Sequence, residues 1–303
     1  MRALAAQLAA DPEIAAVVNV VVVVDGSTDG SAELAEVLPM PVPVEVVWQE
    51  NRGLAAARNA GLAAATGELV LFLDDDLVPE PGLVRRHVLA HVDDTPTVLV
   101  GPCVLPPDGP SHASIAAWWD ARYAELSASG ISHFGLFSAA NTSFPVELLR
   151  SVGGFDERFR GYGMEDYELA LRLLDNDVAI AFDPMAVAGH ERRHSLLDQG
   201  RLRTQEGVNA VRFARIHPDR VDEIVDTNPP TQWSRRLHRV GIRRAWMLRL
   251  VWRLALAMIP VQAKLDPKRR LHALFLADAA AFCAGVVSTG DREMYDRFVT
   301  GRR

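Results

Sequence analysis

Val17–Val24 (VVNVVVVV) is a β-branched run, the pattern of a parallel strand buried on both faces. The polar DGSTDGS that follows opens AELAEVL, a helix whose start carries Ser/Asp caps. After the proline-punctuated PMPVP comes a second strand, VEVVW; QENRG then leads into the alanine-rich helix LAAARNAGLAAAT, ending at Gly67. Leu69–Leu73 is a third buried strand, with Asp74, Asp75 and Asp76 at its carboxyl end. Strand, helix, strand, helix, strand with short links predicts an α/β parallel sheet. Ligands collect at the carboxyl ends of such strands, where Asp25 and Asp74–Asp76 both fall.

From Val98 the pattern turns irregular. A strand-like TVLVGPCVL precedes an aromatic helix, ASIAAWWDARYAEL, and a Gly/Ser-rich stretch, SASGISHFGLFSAANTSF. Next come VGGFDERFRGYGMEDYELALRLLDND, a glycine-rich loop feeding a helix, and a short strand, VAIAFDP. From Ser195 the chain reads as helical and rich in Arg and Leu, so the boundary predicted is 1–194 against 195–303. AWMLRLVWRLALAMIPV, interrupted by Arg249 and Arg253, is too charged and too short for a membrane span. It fits either a helix packed on the domain or an amphipathic helix lying in a membrane surface.

The net charge of −7 over 303 residues argues against a nucleic-acid partner, although basic residues crowd the C-terminal third. Cys103 and Cys283 sit in apolar surroundings without ligand-like spacing, which speaks against a disulfide framework or a zinc site. A reducing cytoplasm is the default compartment.

Asp74-x-Asp76 at a strand end can offer two carboxylates to one hard cation, Mg²⁺ or Mn²⁺; the plainer alternative is a solvated turn. Asp25 can accept hydrogen bonds from a nucleobase or ribose, or belong to a turn and helix cap. Arg58, beside Asn59, either pairs with an aspartate or touches a nucleotide. Glu165-Asp166 stands where a glycine-rich loop becomes a helix. There the dipole favours an ionised carboxylate, a candidate general base, though acidic first turns are common. His190, after a short strand, is a third metal ligand or a packing residue.

Taken in order, VVVVDGSTDGS, ENRGLAAARNAGLAAATGELVLFLDDD, VGGFDERFRGYGMEDYELALR and AGH resemble the family-2 inverting glycosyltransferases of the GT-A fold. The resemblance implies a Rossmann-like, mostly parallel sheet flanked by helices, with a helical C-terminal extension. It places Asp25, Arg58 and Asp74 on the nucleotide-sugar side. Asp75 goes with them, as the member of its trio least expected to touch ligand. It gives Asp76 the Mg²⁺ or Mn²⁺ on the diphosphate, with His190 as an auxiliary metal or phosphate contact. Asp166 becomes the base, Glu165 orients the acceptor or sugar, and Gly153 and Gly154 shape the acceptor side. The implied partners are a nucleoside-diphosphate sugar and a glycan or lipid-linked acceptor in cell-envelope synthesis. Apart from the resemblance, cysteine usage points to the cytoplasm, and the basic, Trp-containing C-terminal helices (Trp246, Trp252, Arg249, Arg253) point to peripheral membrane contact.

Two departures from the family pattern stand out. Val24 occupies the first of two usual aspartates. The usual opening strand has no counterpart before Val17, where MRALAAQLAADPEIAA is helical in pattern. Omitting a central strand would open two hydrogen-bonding edges. The expectation is a natural chain with about 15–30 more N-terminal residues, enough for a strand and its turn. A truncated, non-catalytic protein and a nucleotidyltransferase are the competing readings.

Overall fold

The computed structural model describes residues 1–92, 97–104, 123–127, 134–191, 195–227, 231–263 and 267–301. They form two compact units, 1–160 with 165–193, and 161–164 with 194–303.

The first unit opens with helices α1 (Arg2–Ala10) and α2 (Pro12–Ala15). Asp11 separates them: it accepts from Ile14 N as the cap of α2, Pro12 fills the first helical position, and Arg85 grips the same carboxylate. Leu8 and Ile14 are buried among Leu77, Leu83 and Val84, so these helices contribute to the core. Ala16 and Val17 leave α2 in a turn, Val18 and Asn19 are outside any strand, and β1 begins only at Val20.

β1 (Val20–Asp25) pairs in parallel with β2 (Val44–Gln49), from Val20 opposite Val44 to Asp25 opposite Gln49. Helices α3 (Ser31–Val37) and α4 (Leu54–Ala64) follow these strands. A separate four-stranded sheet has the order β3 (Leu69–Leu73), β7 (Asn141–Pro145), β5 (Thr97–Val100), β8 (Ala179–Phe182). Among the described residues β1 and β3 each have one ladder partner, and no strand joins the two sheets. A third sheet sets β4 (Leu77–Pro79), β9 (Ala188–His190) and β6 (Cys103–Val104) side by side. Between β4 and β6 in the chain lies α5 (Leu83–Leu89). The predicted aromatic helix lies outside the described residues except for 123–127, which are helical.

The architecture is α/β, but the large sheet is mixed rather than mostly parallel. β7 runs antiparallel to both β3 and β5. Its sequence, NTSFP, reads as a loop because three of its residues are polar, yet Asn141, Thr142 and Ser143 are buried. Buried polar side chains must be hydrogen-bonded, and here they are satisfied in one direction. Asn141 Nδ2 donates to Pro102 O and Ala186 O, leaving Oδ1 to accept from His87 Nε2 at 3.0 Å. His87 Nδ1, 2.8 Å from Ser143 Oγ, then accepts the serine proton. Ser143 Oγ in turn accepts from His91 Nε2 at 2.8 Å. This chain requires a neutral His87, and burial pushes its pKa down to about 4. It pins β7, whose neighbour Ala140 accepts from Asp74 N and so extends the ladder to the first aspartate.

The second unit is helical: α8 (Leu196–Ile216), α9 (Val221–Thr227), α10 (Gln232–Arg239), α11 (Ala245–Ala263), α12 (Pro267–Ser288) and α13 (Arg292–Tyr295). Helices α6 (Val146–Ser151) and α7 (Glu165–Asp175) belong to the first unit. Backbones of α8 and α12 approach closely: a Cβ on Gly207 would lie 2.3 Å from Phe282 O, and one on Gly285 2.0 Å from Thr204 O. Within this unit Asn209 donates to the carbonyls of Tyr162 and Gly163, holding the turn that runs on into Glu165. That turn needs left-handed backbone at Gly161, Gly163 and, unusually for a side chain with a Cβ, Met164. No described helix is long and apolar enough to cross a membrane.

Candidate active site

Asp25 ends β1 with its carboxylate turned onto the loop that starts α4. Oδ1 accepts from Gln49 Nε2 and Arg52 N, both at 2.8 Å, and Oδ2 from Gly53 N at 2.9 Å. It thus satisfies backbone donors at a helix start and fastens β1 to β2. Gly26, at φ +76°, lies so close to Asn51 that a Cβ would meet its backbone nitrogen at 2.6 Å. Gln49 and Arg52 are partners that the motif did not single out.

One turn into α4, Arg58 is only 6% exposed. Nη1 donates to Asp166 Oδ1 at 2.6 Å and lies 3.5 Å from Glu165 Oε1, while Nη2 donates to Asp74 Oδ1 at 3.2 Å. Its guanidinium carbon sits 5.3 Å from the centre of the Phe155 ring. Burial opposes the charge, but Asp166, Asp74 and Glu165 together outweigh it and raise the arginine pKa. Of the two alternatives for Arg58, the structure shows pairing with aspartates.

One cation cannot balance three carboxylates, and of the three Glu165 is the one shut away from solvent. Glu165 is 3% exposed, and burial, followed by the neighbouring Asp166 charge, pushes its pKa up to about 8. Its Oε2 has no hydrogen-bond partner among the described residues. Asp166 is held from two sides, Oδ1 by Arg58 and Oδ2 by Ala139 N at 3.1 Å. Both residues occupy the first turn of α7.

Asp75 is exposed at the turn between β3 and β4. Asp76 is brought to His190 by the β4–β9 ladder, which sets Leu77 opposite His190. Asp76 Oδ2 stands 3.7 Å from His190 Nδ1, a buried nitrogen without a hydrogen-bond partner among the described residues, and Asp76 O accepts from Glu191 N. An orphaned imidazole nitrogen facing a carboxylate fits a divalent ion held by two protein ligands, the remainder of its shell being diphosphate and water. Among the described residues no group of three His, Cys, Asp or Glu forms a cage by itself.

Gly153 and Gly154 close α6: Gly153 N donates to Arg150 O and Gly154 N to Leu149 O, both glycines at positive φ. Asn59 brackets the next residue, its Nδ2 donating to Phe155 O and its Oδ1 accepting from Phe155 N. Glu168 and Arg172, one turn apart on α7, form a bidentate pair whose guanidinium also donates to Val152 O and Gly154 O. Their i,i+4 spacing is the one sequence signal for this clamp. Gly153, Asn59, Asp156, Glu157 and Arg158 line an open cleft of about 430 Å³.

The family profile described as "Glycosyl transferase family 2" matches residues 2–151, and one described as "N-terminal domain of galactosyltransferase" matches 130–194. The pre-mycofactocin glycosyltransferase of Mycobacterium tuberculosis is 29% identical over 68% of this chain and 44% of its own length. The validoxylamine A glucosyltransferase of Streptomyces hygroscopicus subsp. jinggangensis is 30% identical over 68% of this chain and 55% of its own. The chain spans about half the length of these relatives. Among solved structures, TarS 1–349 of S. aureus superposes with TM-score 0.56, 18% identity and 99% of this chain covered, 86% of that chain. The mannosyltransferase PcManGT of Pyrobaculum calidifontis, in complex with GDP-Man and Mn²⁺, does so with 0.53, 20%, 90% and 78%. The fold is GT-A. The chain belongs to glycosyl transferase family 2.

Proposed function

We propose that this family 2 chain carries the donor-binding and catalytic part of a metal-dependent, inverting glycosyltransferase. It moves a sugar from a nucleoside diphosphate to an acceptor hydroxyl in glycan, polysaccharide or glycolipid synthesis. The observation that carries this reading is the convergence on Arg58 of Asp74, from the strand-end triplet, and Asp166, from the helix start. Two motifs far apart in sequence become one site.

Asp166, aimed by Arg58 and Ala139 N, takes the proton of the acceptor hydroxyl as its oxygen attacks the anomeric carbon. The nucleoside diphosphate leaves from the opposite face, so configuration inverts. Asp76 and His190 would hold Mg²⁺ or Mn²⁺, which when bound neutralises the diphosphate as a leaving group. PcManGT holds GDP-Man with Mn²⁺, and the Streptomyces relative is named a glucosyltransferase, so GDP-mannose and UDP-glucose head the donor panel. Asp25 and Asp75 remain on the nucleotide side of this reading. Gly153 shapes the open cleft beside the site, whose polar lining suits a hydroxyl-rich acceptor. Glu165, protonated, can donate a hydrogen bond to acceptor or sugar. The domain assignment of 1–194 for donor binding and catalysis and 195–303 for a helical appendage belongs to the same proposal, as does a cytoplasmic protein with peripheral membrane contact.

A non-catalytic reading draws on Asp25, whose carboxylate already accepts three hydrogen bonds from its own chain. The test is turnover of a nucleotide-sugar panel with Mn²⁺, comparing the natural chain with Asp76→Ala and Asp166→Asn. Donor consumption lost in both variants supports the assignment. Turnover indifferent to both refutes the site, and absence of turnover in the natural protein favours the binding reading.

A further inference from the structure

The helical unit carries a face that its own packing does not explain. On α11, Leu248, Trp252 and Ala255 are buried, and Trp252 sits so tightly on Gly200 that a Cβ there would lie 2.2 Å from its indole ring. The opposite face should be polar if it met only water. Instead Trp246, Leu250 and Leu254 are 60%, 49% and 56% exposed, spaced four residues apart along one stripe. Arg249 and Arg253, also exposed, fall in the same stripe at the i+3 positions. Helix α11 is therefore apolar on two sides, one packed and one open.

The surrounding charge selects the occupant of the open side. From Thr227 to Leu265 the chain has eight Lys or Arg and no Asp or Glu, although its total is −7. Arg235, Arg236 and Arg239 of α10 are exposed, as are Arg243 and Arg244 in the link to α11. None of Arg235, Arg239, Arg244, Arg249 and Arg253 is in an ion pair among the described residues. An acidic protein would need this charge locally neutralised by pairs. A nucleic acid would have no use for a Trp-Leu-Leu stripe between the arginines. A layer of anionic headgroups over hydrocarbon meets both demands: the ring and leucines enter the boundary while the arginine stems extend outward to phosphate.

We propose that the face formed by Trp246, Leu250 and Leu254 with the arginines of α10 and α11 docks on an anionic lipid surface, lying on it without crossing. This deepens the peripheral contact in the functional reading above and makes Trp246 the anchoring indole, since Trp252 is buried in the unit.

The test is flotation of the full chain with vesicles of phosphatidylcholine containing about one-third phosphatidylglycerol, against phosphatidylcholine alone. The natural chain should float with the anionic vesicles and release in high salt. Leu250→Asp with Leu254→Asp, and separately Arg249→Glu with Arg253→Glu, should lower the bound fraction about tenfold with unchanged circular dichroism. Brominated lipid should quench tryptophan fluorescence in the natural chain and quench it much less in Trp246→Phe. Failure of the natural chain to float, or flotation indifferent to both double variants, overturns the proposal. So does a dimer, seen by sedimentation, that Leu250→Asp dissolves, or DNA binding that only the arginine variant removes. Flotation is read without any sugar donor, so its failure and a failure of the catalytic assignment are separately visible.

Discussion

Arg58 Nη1 and Asp166 Oδ1, 108 residues apart in the chain, meet at 2.6 Å. The same guanidinium reaches Asp74 and lies beside Glu165, so the ionic centre of the first unit is a buried arginine among carboxylates. Removing the cation leaves those carboxylates facing one another. Arg58→Met should cost about 3 kcal/mol or more in urea unfolding and abolish donor turnover. Arg58→Lys, which keeps the charge but cannot fork to two partners, should fall between in both measurements.

Glu165, with its pKa pushed up to about 8, binds a proton in the folded state that the unfolded chain releases near 4.5. The folded state then holds more protons across that interval, so this residue's contribution is full below pH 4.5 and is lost as pH rises through about 8. Glu165→Gln should flatten stability between pH 6.5 and 8. Urea titrations at three pH values in that range check the slope; equal slopes in both proteins would contradict a protonated Glu165.

His87 has the opposite sign. Its folded pKa of about 4 lies below the ordinary 6.5, so the unfolded state binds the extra proton. Stability is present above pH 6.5 and declines as pH falls from there towards 4, by an amount of order 3 kcal/mol. Thermal melts of the natural chain and of His87→Gln between these pH values should show the acid-side decline only in the former.

The paired glycines separate strain from collision. Gly153, at φ +88°, has open space where a Cβ would go, whereas at Gly154, φ +67°, a Cβ would lie 2.7 Å from Asn59 Oδ1. Gly153→Ala should therefore cost about 1 kcal/mol, the left-handed backbone alone. Gly154→Ala should cost distinctly more, because Asn59 must release its two hydrogen bonds to the Phe155 backbone. Thermal midpoints rank the two.

Mn²⁺ with a nucleoside diphosphate should raise the thermal midpoint of the natural chain, as any ligand of the native state does. Asp76→Ala should remove that rise, and His190→Ala should reduce it. Calorimetric scans with and without EDTA measure both.

Much of this was legible in one dimension. The run of valines before Asp25, the alanine-rich helix and LVLFL before the aspartates announce two strands and a covering helix, because periodicity is a local property; burial is not, and of these two strands only Val24 is fully buried. The order of the four motifs carried the family. β7 was not legible: NTSFP looks like a loop until His87 and His91, more than fifty residues away, supply partners for its polar side chains. The outward face of α11 was half legible, since spacing alone could not say which tryptophan faces in.

The sequence by itself determined which chemical groups this protein owns and the strand ends and helix starts that carry them, for those follow from patterning within a few residues. Only the tertiary structure decided how they are paired: Asp25 to the start of α4, Asp76 to His190, and Arg58 to Asp166 and Asp74. Such pairings join residues separated by 16 to 114 positions, and their free energies depend on burial and on distances of a few ångströms. Those are set when sheets and helices pack, and no local stretch of chain contains them.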